Sequence, residues 1–244
     1  MSPEIFIKRT LAATSVKRVE QIQALWSGYG EIVRYQVTTR DQFYSSVILK
    51  SIRLDQVMAH PRGWQSELSH QRKLESYRVE AHWYAHWRSQ IKEVARIPHC
   101  YAVHQTEDLI YLLLEDMDEA GFPSRHTCLE WDSCLPILDW LANFHSRFIG
   151  VQSSSDYGLW FRGTYWHLAT RPDEWQAMEE SELKDSASRI DQTLSKARFQ
   201  TLLHGDAKVA NFCFSELGDQ VAAVDFQYIG KGVGVQDVAY FLGS

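Results

Sequence analysis

Cysteine and long apolar runs are scarce in this sequence. Its 244 residues include 4 cysteines, at positions 100, 128, 134 and 213, and no two of them form a Cys-x-x-Cys pair. This pattern is typical of buried thiols in a reducing compartment and disfavours a disulfide framework or a zinc site. No run of about 18 apolar residues that could span a membrane occurs, and the first residues lack the apolar core of a signal peptide. We therefore expect a cytoplasmic protein without a membrane partner.

Positive charge is also in deficit. The chain has 25 Lys and Arg residues against 31 Asp and Glu, which gives a formal net charge of −6. This balance argues against nucleic acid as the main partner. The hydrophobic content of 45% is that of an ordinary globular protein. No internal repeat and no linker rich in Gly, Ser or Pro divides the chain, so two lobes would be joined by a short connection.

The first half of the sequence predicts two pairs of strands and one long helix. The β-rich runs occupy residues 31–37, 45–52, 101–105 and 109–115, with a short polar turn inside each pair. Residues 66–90 contain neither Pro nor Gly and predict a single helix.

A glycine-containing turn precedes the first strand. Ser27, Gly28 and Gly30 lie in the segment LWSGYG, and two glycines spaced by one residue allow backbone N–H groups to approach a phosphate. Taken alone, the pair is read more simply as a β-turn. The interpretation as a phosphate loop depends on the residues that follow.

The last strand of this half ends in an acidic connection. In the segment YLLLEDMD, Glu115 and Met117 stand where the apolar strand stops. We interpret the connection as a hinge between two lobes, where backbone groups would meet an adenine ring. An ordinary strand end has the same pattern, and that alternative stays open.

Lys50 lies inside the apolar run VILKSI, where a buried ammonium needs an anionic partner. Glu80 is the candidate, because it falls on one stripe of the predicted helix together with Tyr77, Tyr84 and Trp87. We predict an ion pair between Lys50 and Glu80 of the kind that kinases use to hold ATP phosphates. The alternative is that Glu80 reaches solvent at the edge of the stripe.

The pattern with the clearest chemistry lies near the C-terminus. The segment HGDAKVAN places Asp206, Lys208 and Asn211 in one loop, and AAVDFQ places Asp225 at the end of a later strand. In this spacing Asp206 can orient a hydroxyl and accept its proton. Lys208 can contact a γ-phosphoryl group, and Asn211 and Asp225 can supply oxygen atoms to Mg²⁺. A hydrolase built on Asp206 and His204 lacks a Gly-x-Ser-x-Gly elbow or a cluster of metal ligands.

Residues 131–148 repeat apolar side chains at helical spacing. They predict an amphipathic helix with Asp132 or Ser133 as N-cap and Pro136 in its first turn. Asp237 precedes another apolar helical start, and we assign it a structural role, bracing the catalytic loop through hydrogen bonds.

These motifs carry a family resemblance. HGDAKVAN, AAVDFQ and VQDVAYFLGS resemble the aminoglycoside phosphotransferase and choline kinase group, and SYRVEAHWY and YLLLEDM look most like its ecdysteroid-kinase-like branch. The resemblance covers roughly Leu25 to Ser244. It implies an α+β, protein-kinase-like fold with a small antiparallel β lobe and a mainly helical lobe, which we place at residues 1–116 and 117–244. It also implies ATP-dependent phosphorylation of a hydroxyl group on a small molecule.

The resemblance also implies roles for single residues. Asp206 matches the catalytic acid of the family, and Asn211 and Asp225 match its Mg²⁺ ligands. Lys50 and Glu80 match the phosphate-anchoring pair of the family. Ser27 to Gly30 match its phosphate loop. The acceptor is left open among aminoglycosides, choline, sterols and sugars, and so is the oligomeric state.

Two features depart from the group. Lys208 stands where relatives often carry another residue. The sequence stops at Ser244, 7 residues after Asp237, whereas family members continue with further helices. We therefore expect exposed apolar surface at Val238, Tyr240 and Phe241. A truncated nucleotide-binding protein with impaired catalysis is the alternative function.

Overall fold

An antiparallel sheet of five strands organises the N-terminal half. The structure, a computed structural model, describes residues 1–25, 28–40, 43–55, 67–91, 95–151, 158–164, 167–169 and 171–244. The strands are β1 (Ser15–Ala24), β2 (Gly30–Thr38), β3 (Phe43–Arg53), β4 (Cys100–Gln105) and β5 (Leu109–Glu115). Their spatial order is β1-β2-β3-β5-β4. The strands predicted from the sequence are confirmed as β2 to β5.

Two elements come before those that the sequence predicts. Helix α1 (Pro3–Leu11) is capped by the Ser2 hydroxyl, which accepts a hydrogen bond from Ile5 N, and it buries Phe6 and Ile7 on the sheet. Strand β1 lies at the sheet edge and is exposed along almost its whole length. Its sequence, SVKRVEQIQA, therefore needs no apolar alternation, and this is why the pattern gave no strand there.

Strand β3 alternates between two buried faces. Val47 and Leu49 pack with α1 on one face, and Ile52 joins the main core on the other. Because successive side chains of a strand point to opposite faces, Lys50 shares the face of Ile52. In the sheet it lies opposite Leu112 of β5.

The long predicted helix is confirmed only in part. Helix α2 spans Glu67–His82 and continues as a π-helical turn, Trp83–Trp87, and a 3₁₀ turn, Arg88–Ile91; residue 66 lies outside the described residues. The wider π turn accommodates Trp83, which is fully buried and stacks on Phe226 with ring centroids 5.1 Å apart. Such insertions interrupt the α-helical repeat without requiring Pro or Gly.

Helix α3 (Trp131–Arg147) confirms the predicted amphipathic helix, but its start was predicted wrongly. The N-cap is Glu130, without a side-chain capping bond, and Pro136 lies inside the helix. Ser133 N donates to the Glu130 carbonyl and so begins the helix earlier than either predicted cap. Pro136 is the sixth residue of the helix and not part of its first turn as predicted, so its missing N–H leaves the Asp132 carbonyl without a donor four residues on.

Two short antiparallel pairs carry the chemical motifs. Strand β6 (Thr201–Leu203) pairs with β9 (Gly230–Gly232), and β7 (Phe212–Phe214) pairs with β8 (Val221–Ala223). The loop of Asp206 connects β6 to β7, and the loop of Asp225 connects β8 to β9. Each loop therefore connects one pair of strands to the other pair.

The remaining helices are α4 (Pro172–Ala177), α5 (Glu182–Ser195) and α6 (Val235–Leu242). The expected exposure of Phe241 is wrong: this side chain is 2% exposed and packs near Phe212. Val238 is partly buried against the same core, and the exposed large apolar residues of α6 are Val235 and Leu242. None of the helices in the described ranges has the length and apolar character needed to cross a bilayer.

One continuous core joins the two halves of the chain. The largest cluster of buried side chains includes Ile52 and Leu112 of the sheet together with Phe144 of α3 and Phe212 of β7. This core contains residues from both sides of the lobe boundary that we predict between residues 116 and 117. The division into two lobes stays a prediction.

We expect Phe144→Ala to destabilise the protein strongly. Phe144 is fully buried among Trp83, Trp140 and Phe226, and truncating such a ring costs about 3–5 kcal/mol. Phe161→Ala, at a side chain that is 67% exposed, is the control and should change the free energy of unfolding by less than about 0.5 kcal/mol. Urea denaturation of both variants measures the difference; equal stabilities would contradict this packing.

Candidate active site

The loop that carries Asp206 is held by hydrogen bonds to the buried carboxylate of Asp237. Asp237 Oδ2 accepts a hydrogen bond from His204 N at 2.7 Å, and Oδ1 accepts one from Gly205 N at 2.9 Å. His145 Nε2 lies 2.9 Å from Asp237 Oδ2. The predicted bracing role of Asp237 is thus confirmed. Gly205 has φ +84°, and a Cβ there would lie 2.0 Å from Tyr228 O, so only glycine fits this turn.

Asp206 itself is 5% exposed. Its Oδ2 atom accepts a bond from Asn211 Nδ2 at 2.9 Å and lies 3.1 Å from Lys208 Nζ. Asn211 Nδ2 also donates to the Asp206 carbonyl at 2.7 Å. The three predicted loop residues are therefore brought together. Because the amide nitrogen of Asn211 donates its hydrogen bonds to Asp206, the amide oxygen is the atom that can bind a cation.

Lys50 forms the predicted ion pair and a second one. Its Nζ atom lies 2.7 Å from Glu80 Oε2 and 3.0 Å from Asp225 Oδ1. Lys50 is 4% exposed and Glu80 is 1% exposed, so the alternative of a solvated Glu80 is wrong. Strand β3, helix α2 and the loop after β8 meet at this single ammonium group.

Burial and the two ion pairs shift the pKa values of Lys50, Glu80 and Asp225. Burial alone would lower the pKa of Lys50, but Asp225 and Glu80 outweigh it and raise the pKa to about 12. Burial raises the pKa of Glu80 to about 7, with a further rise from Asp225 and an opposing effect of Lys50. Burial also acts to raise the pKa of Asp225, but Lys50 and Lys73 hold it well below its ordinary value. The Asp225 carboxyl group is thus kept in its charged form.

Asp225 and Asn211 are suited to hold a magnesium ion together. Val224 N donates to the Asn211 carbonyl at 2.9 Å, which places the two side chains at neighbouring positions of adjoining loops. Asp225 Oδ1 bonds to Lys50, and its side chain is 31% exposed. A carboxylate and an amide oxygen, completed by water and phosphate oxygens, are typical magnesium ligands. Among the residues that the structure describes, no group of three or more His, Cys, Asp and Glu forms a separate metal site.

The glycine turn is partly described. Ser27 lies outside the described residues. Gly28 has φ +75°, and its N–H donates to the Leu25 carbonyl at 3.1 Å. Gly30 has φ +152°, and a Cβ there would lie 1.9 Å from Ser51 O. The freedom of Gly30 therefore lets β2 approach β3 closely, and its contact with a phosphate stays a prediction.

The predicted hinge is fixed by ion pairs. The Glu115 carboxylate lies 2.8 Å from Arg96 and also accepts a bond from His99 N at 2.8 Å. Asp116 lies 2.6 Å from Arg34 of β2. Met117 is 4% exposed, and its carbonyl accepts a bond from Phe122 N at 2.8 Å. The Glu115 side chain is thus bound within the protein and that of Met117 is buried, and the contact of their backbone with a base stays a prediction.

Two residues beside Asp225, Gln227 and Lys73, were not predicted from the sequence. Gln227 Nε2 donates to Asp225 Oδ1, and Lys73 Nζ donates to Gln227 Oε1 at 2.7 Å. Burial lowers the pKa of Lys73 to about 8, although Asp225 opposes this fall. One signal was available: Lys73 stands seven residues before Glu80, two helical turns away on the same face.

The chain is similar in sequence to one family and in fold to several solved structures. A family model described as Phosphotransferase enzyme family matches residues 21–244. No curated protein sequence matches the chain. An aminoglycoside-3'-phosphotransferase of type VIII superposes with a TM-score of 0.54 at 14% identity, over 96% of this chain and 80% of that one.

Two further structures have a similar fold. A protein described as a candidate fructosamine-3-kinase from Haemophilus somnus has a TM-score of 0.52 at 16% identity, over 98% of this chain and 75% of that one. A thermostable aminoglycoside phosphotransferase in ternary complex with ADP and hygromycin B has a TM-score of 0.51 at 11% identity, over 98% and 76%. The predicted protein-kinase-like α+β fold is confirmed.

Asp237→Ala should loosen the loop of Asp206. The change leaves the buried N–H groups of His204 and Gly205 without an acceptor, and each such group costs about 1–3 kcal/mol. Asp219→Ala, in the exposed turn after β7, removes only a carboxylate bonded to Ser215 and is the matched control. Amide hydrogen exchange of residues 204–206 should accelerate in the first variant alone; unchanged protection would contradict the bracing role.

The pH dependence of stability should reveal Lys73. Its folded-state pKa of about 8 lies below the ordinary value of 10.5, so between these values the unfolded chain binds more protons than the folded one. Stability relative to Lys73→Met should therefore increase as the pH rises from 8 to 10.5. Chemical denaturation of both proteins across this range measures it, and a difference that is independent of pH would contradict the burial of the ammonium.

Proposed function

Because the chain belongs to the phosphotransferase enzyme family, we propose that it transfers the γ-phosphoryl group of ATP to a hydroxyl of a small molecule. The observation that carries the proposal is the meeting of Lys50, Glu80 and Asp225 in one buried cluster, with Asp206 and Asn211 on the adjoining loop. An ammonium bonded to a helix carboxylate, beside a metal-binding acid, is the arrangement that orients nucleotide phosphates in kinases.

Asp206 is proposed to prepare the acceptor. Its Oδ2 atom is held by Asn211 and Lys208, which leaves Oδ1 to accept a hydrogen bond from the acceptor hydroxyl. The hydroxyl oxygen forms the new bond to the γ-phosphorus and its proton passes to Asp206, while the bond between the γ-phosphorus and the β,γ-bridging oxygen breaks. The products are a phosphate ester and ADP.

The lysines are proposed to stabilise the charge that moves during transfer. Lys50 is fixed by Glu80 and would meet the phosphates beside Asp225. Lys208, with a side chain 40% exposed, would turn from Asp206 toward the γ-phosphoryl oxygens. A fixed cation such as Lys50 acts where charge develops and needs no reorganisation.

Magnesium is proposed as the metal, with Asn211 and Asp225 as its protein ligands. Their amide and carboxylate oxygens match its preference for oxygen. When bound, the ion supplies positive charge that neutralises the β- and γ-phosphate oxygens.

The acceptor class is proposed from the fold and the family. The structural neighbours named above include aminoglycoside phosphotransferases and a candidate fructosamine-3-kinase, which suggests polar, hydroxyl-bearing acceptors such as amino sugars. The family model is broader than the ecdysteroid-kinase-like branch, and assignment to that branch stays a prediction. The same holds for the cytoplasmic location and for the absence of nucleic-acid and membrane partners.

Asp206→Asn should abolish turnover while preserving nucleotide binding. Loss of a general base costs about 10²- to 10⁴-fold in rate, whereas Lys50 and Asp225 are untouched. ADP release with Mg-ATP and a panel of aminoglycosides, fructosamines, choline and sterols measures turnover, and calorimetry measures binding. Asp132→Asn, at an exposed position of α3, is the control. Equal turnover by Asp206→Asn and wild type on an accepted substrate would refute the assignment; binding without turnover on any acceptor would favour the nucleotide-binding alternative.

A further inference from the structure

The side-chain amide of Gln227 bridges helix α2 and Asp225. Its Oε1 atom accepts bonds from Lys73 Nζ at 2.7 Å and from Ser76 Oγ at 3.2 Å. Its Nε2 atom donates to Asp225 Oδ1. A lysine ammonium only donates and a carboxylate only accepts, so the orientation of this amide is fixed by its neighbours. Gln227 is 4% exposed, which keeps water from replacing these bonds.

These bonds distinguish the two oxygens of Asp225. Oδ1 accepts from Lys50 at 3.0 Å and from Gln227. Within the described parts of the chain, neither of these donors bonds to Oδ2. One carboxylate oxygen is thus committed to the protein, and the other is the one available to a further ligand.

We propose that Lys73 is a positioning residue that acts through Gln227 to present one oxygen of Asp225 to a magnesium-bound nucleotide. This inference rests on the proposed function. Lys73 donates to Gln227, Gln227 holds Oδ1, and the carboxylate cannot rotate without breaking that bond and the bond to Lys50. Within the described residues, no hydrogen bond or ion pair joins Lys73 to Asp225 directly.

Helix α2 therefore acts on Asp225 from two sides. Glu80 holds Lys50, which bonds to Asp225 directly, and Lys73 holds Gln227. Lys73 also lies over the ring of Tyr77, 4.7 Å from its centroid, which limits where its ammonium group can go. A shift of the helix would disturb both bonds to Oδ1 together.

The test compares the affinity of a non-hydrolysable ATP analogue with and without Mg²⁺ by calorimetry. Residues that orient a metal ligand typically contribute about 10- to 100-fold to metal affinity. Lys73→Met and Gln227→Met should each reduce Mg²⁺-dependent binding by about that factor and should change metal-free binding by less than about 2-fold. The double variant should lose no more than either single one, since both act through the same bond.

Arg78→Met is the matched control, because it removes an exposed cation of the same helix that pairs only loosely with Glu75, at 3.7 Å. Its Mg²⁺-dependent binding should equal that of the wild type. Thermal unfolding identifies any single variant that fails to fold, in which case the other variant decides.

Four outcomes would overturn the inference or the proposed function. Equal losses with and without Mg²⁺, or additive losses in the double variant, would make Lys73 merely structural. Full Mg²⁺-dependent affinity in both single variants would refute the inference alone. Failure of the wild type to bind the analogue at all would instead refute the proposed function, and the inference with it.

Discussion

The ammonium group of Lys50 is the point on which the site depends. Removing a charge from water costs several kcal/mol unless partners compensate it, and here two carboxylates do so from different elements. The central strand, the helix above it and the loop of Asp225 are therefore held in one arrangement. Because a buried ion pair is often no more stabilising than an apolar pair of the same volume, its presence is better explained by chemistry than by stability.

Charge is also concentrated where the two halves of the chain join. Arg34 of β2 contacts Asp116 and Asp118 of the predicted hinge, and Arg96 contacts Glu115. The apolar core runs through the same region. A nucleotide bound between the halves would thus meet a hinge that is already ordered, which lowers the entropy cost of binding.

The sequence predicted those features that follow from local spacing. Alternation placed Lys50 on a buried strand, helical periodicity placed Glu80 on an inward stripe, and a short loop fixed the distance from Asp206 to Asn211. Features set by tertiary contacts were missed. Strand β1 is polar because it lies at an edge, and the π turn at Trp83 depends on the ring of Phe226. Lys73 and Gln227 are far apart in the chain, and only the fold brings them together.

The backbone of Asp225 adds a constraint of another kind. Its φ of +69° lies in a region that Gly, Asn and Asp reach at low cost and that other side chains reach at about 1–2 kcal/mol. Geometry thus admits three residues here, and the need for a negative charge reduces them to one. In evolution, the easiest departure from aspartate at this position is to asparagine or glycine, since neither strains the turn. Under the proposed function, a descendant carrying either of them would keep the turn and lose the metal-binding carboxylate, so this position would record whether a lineage has retained its activity.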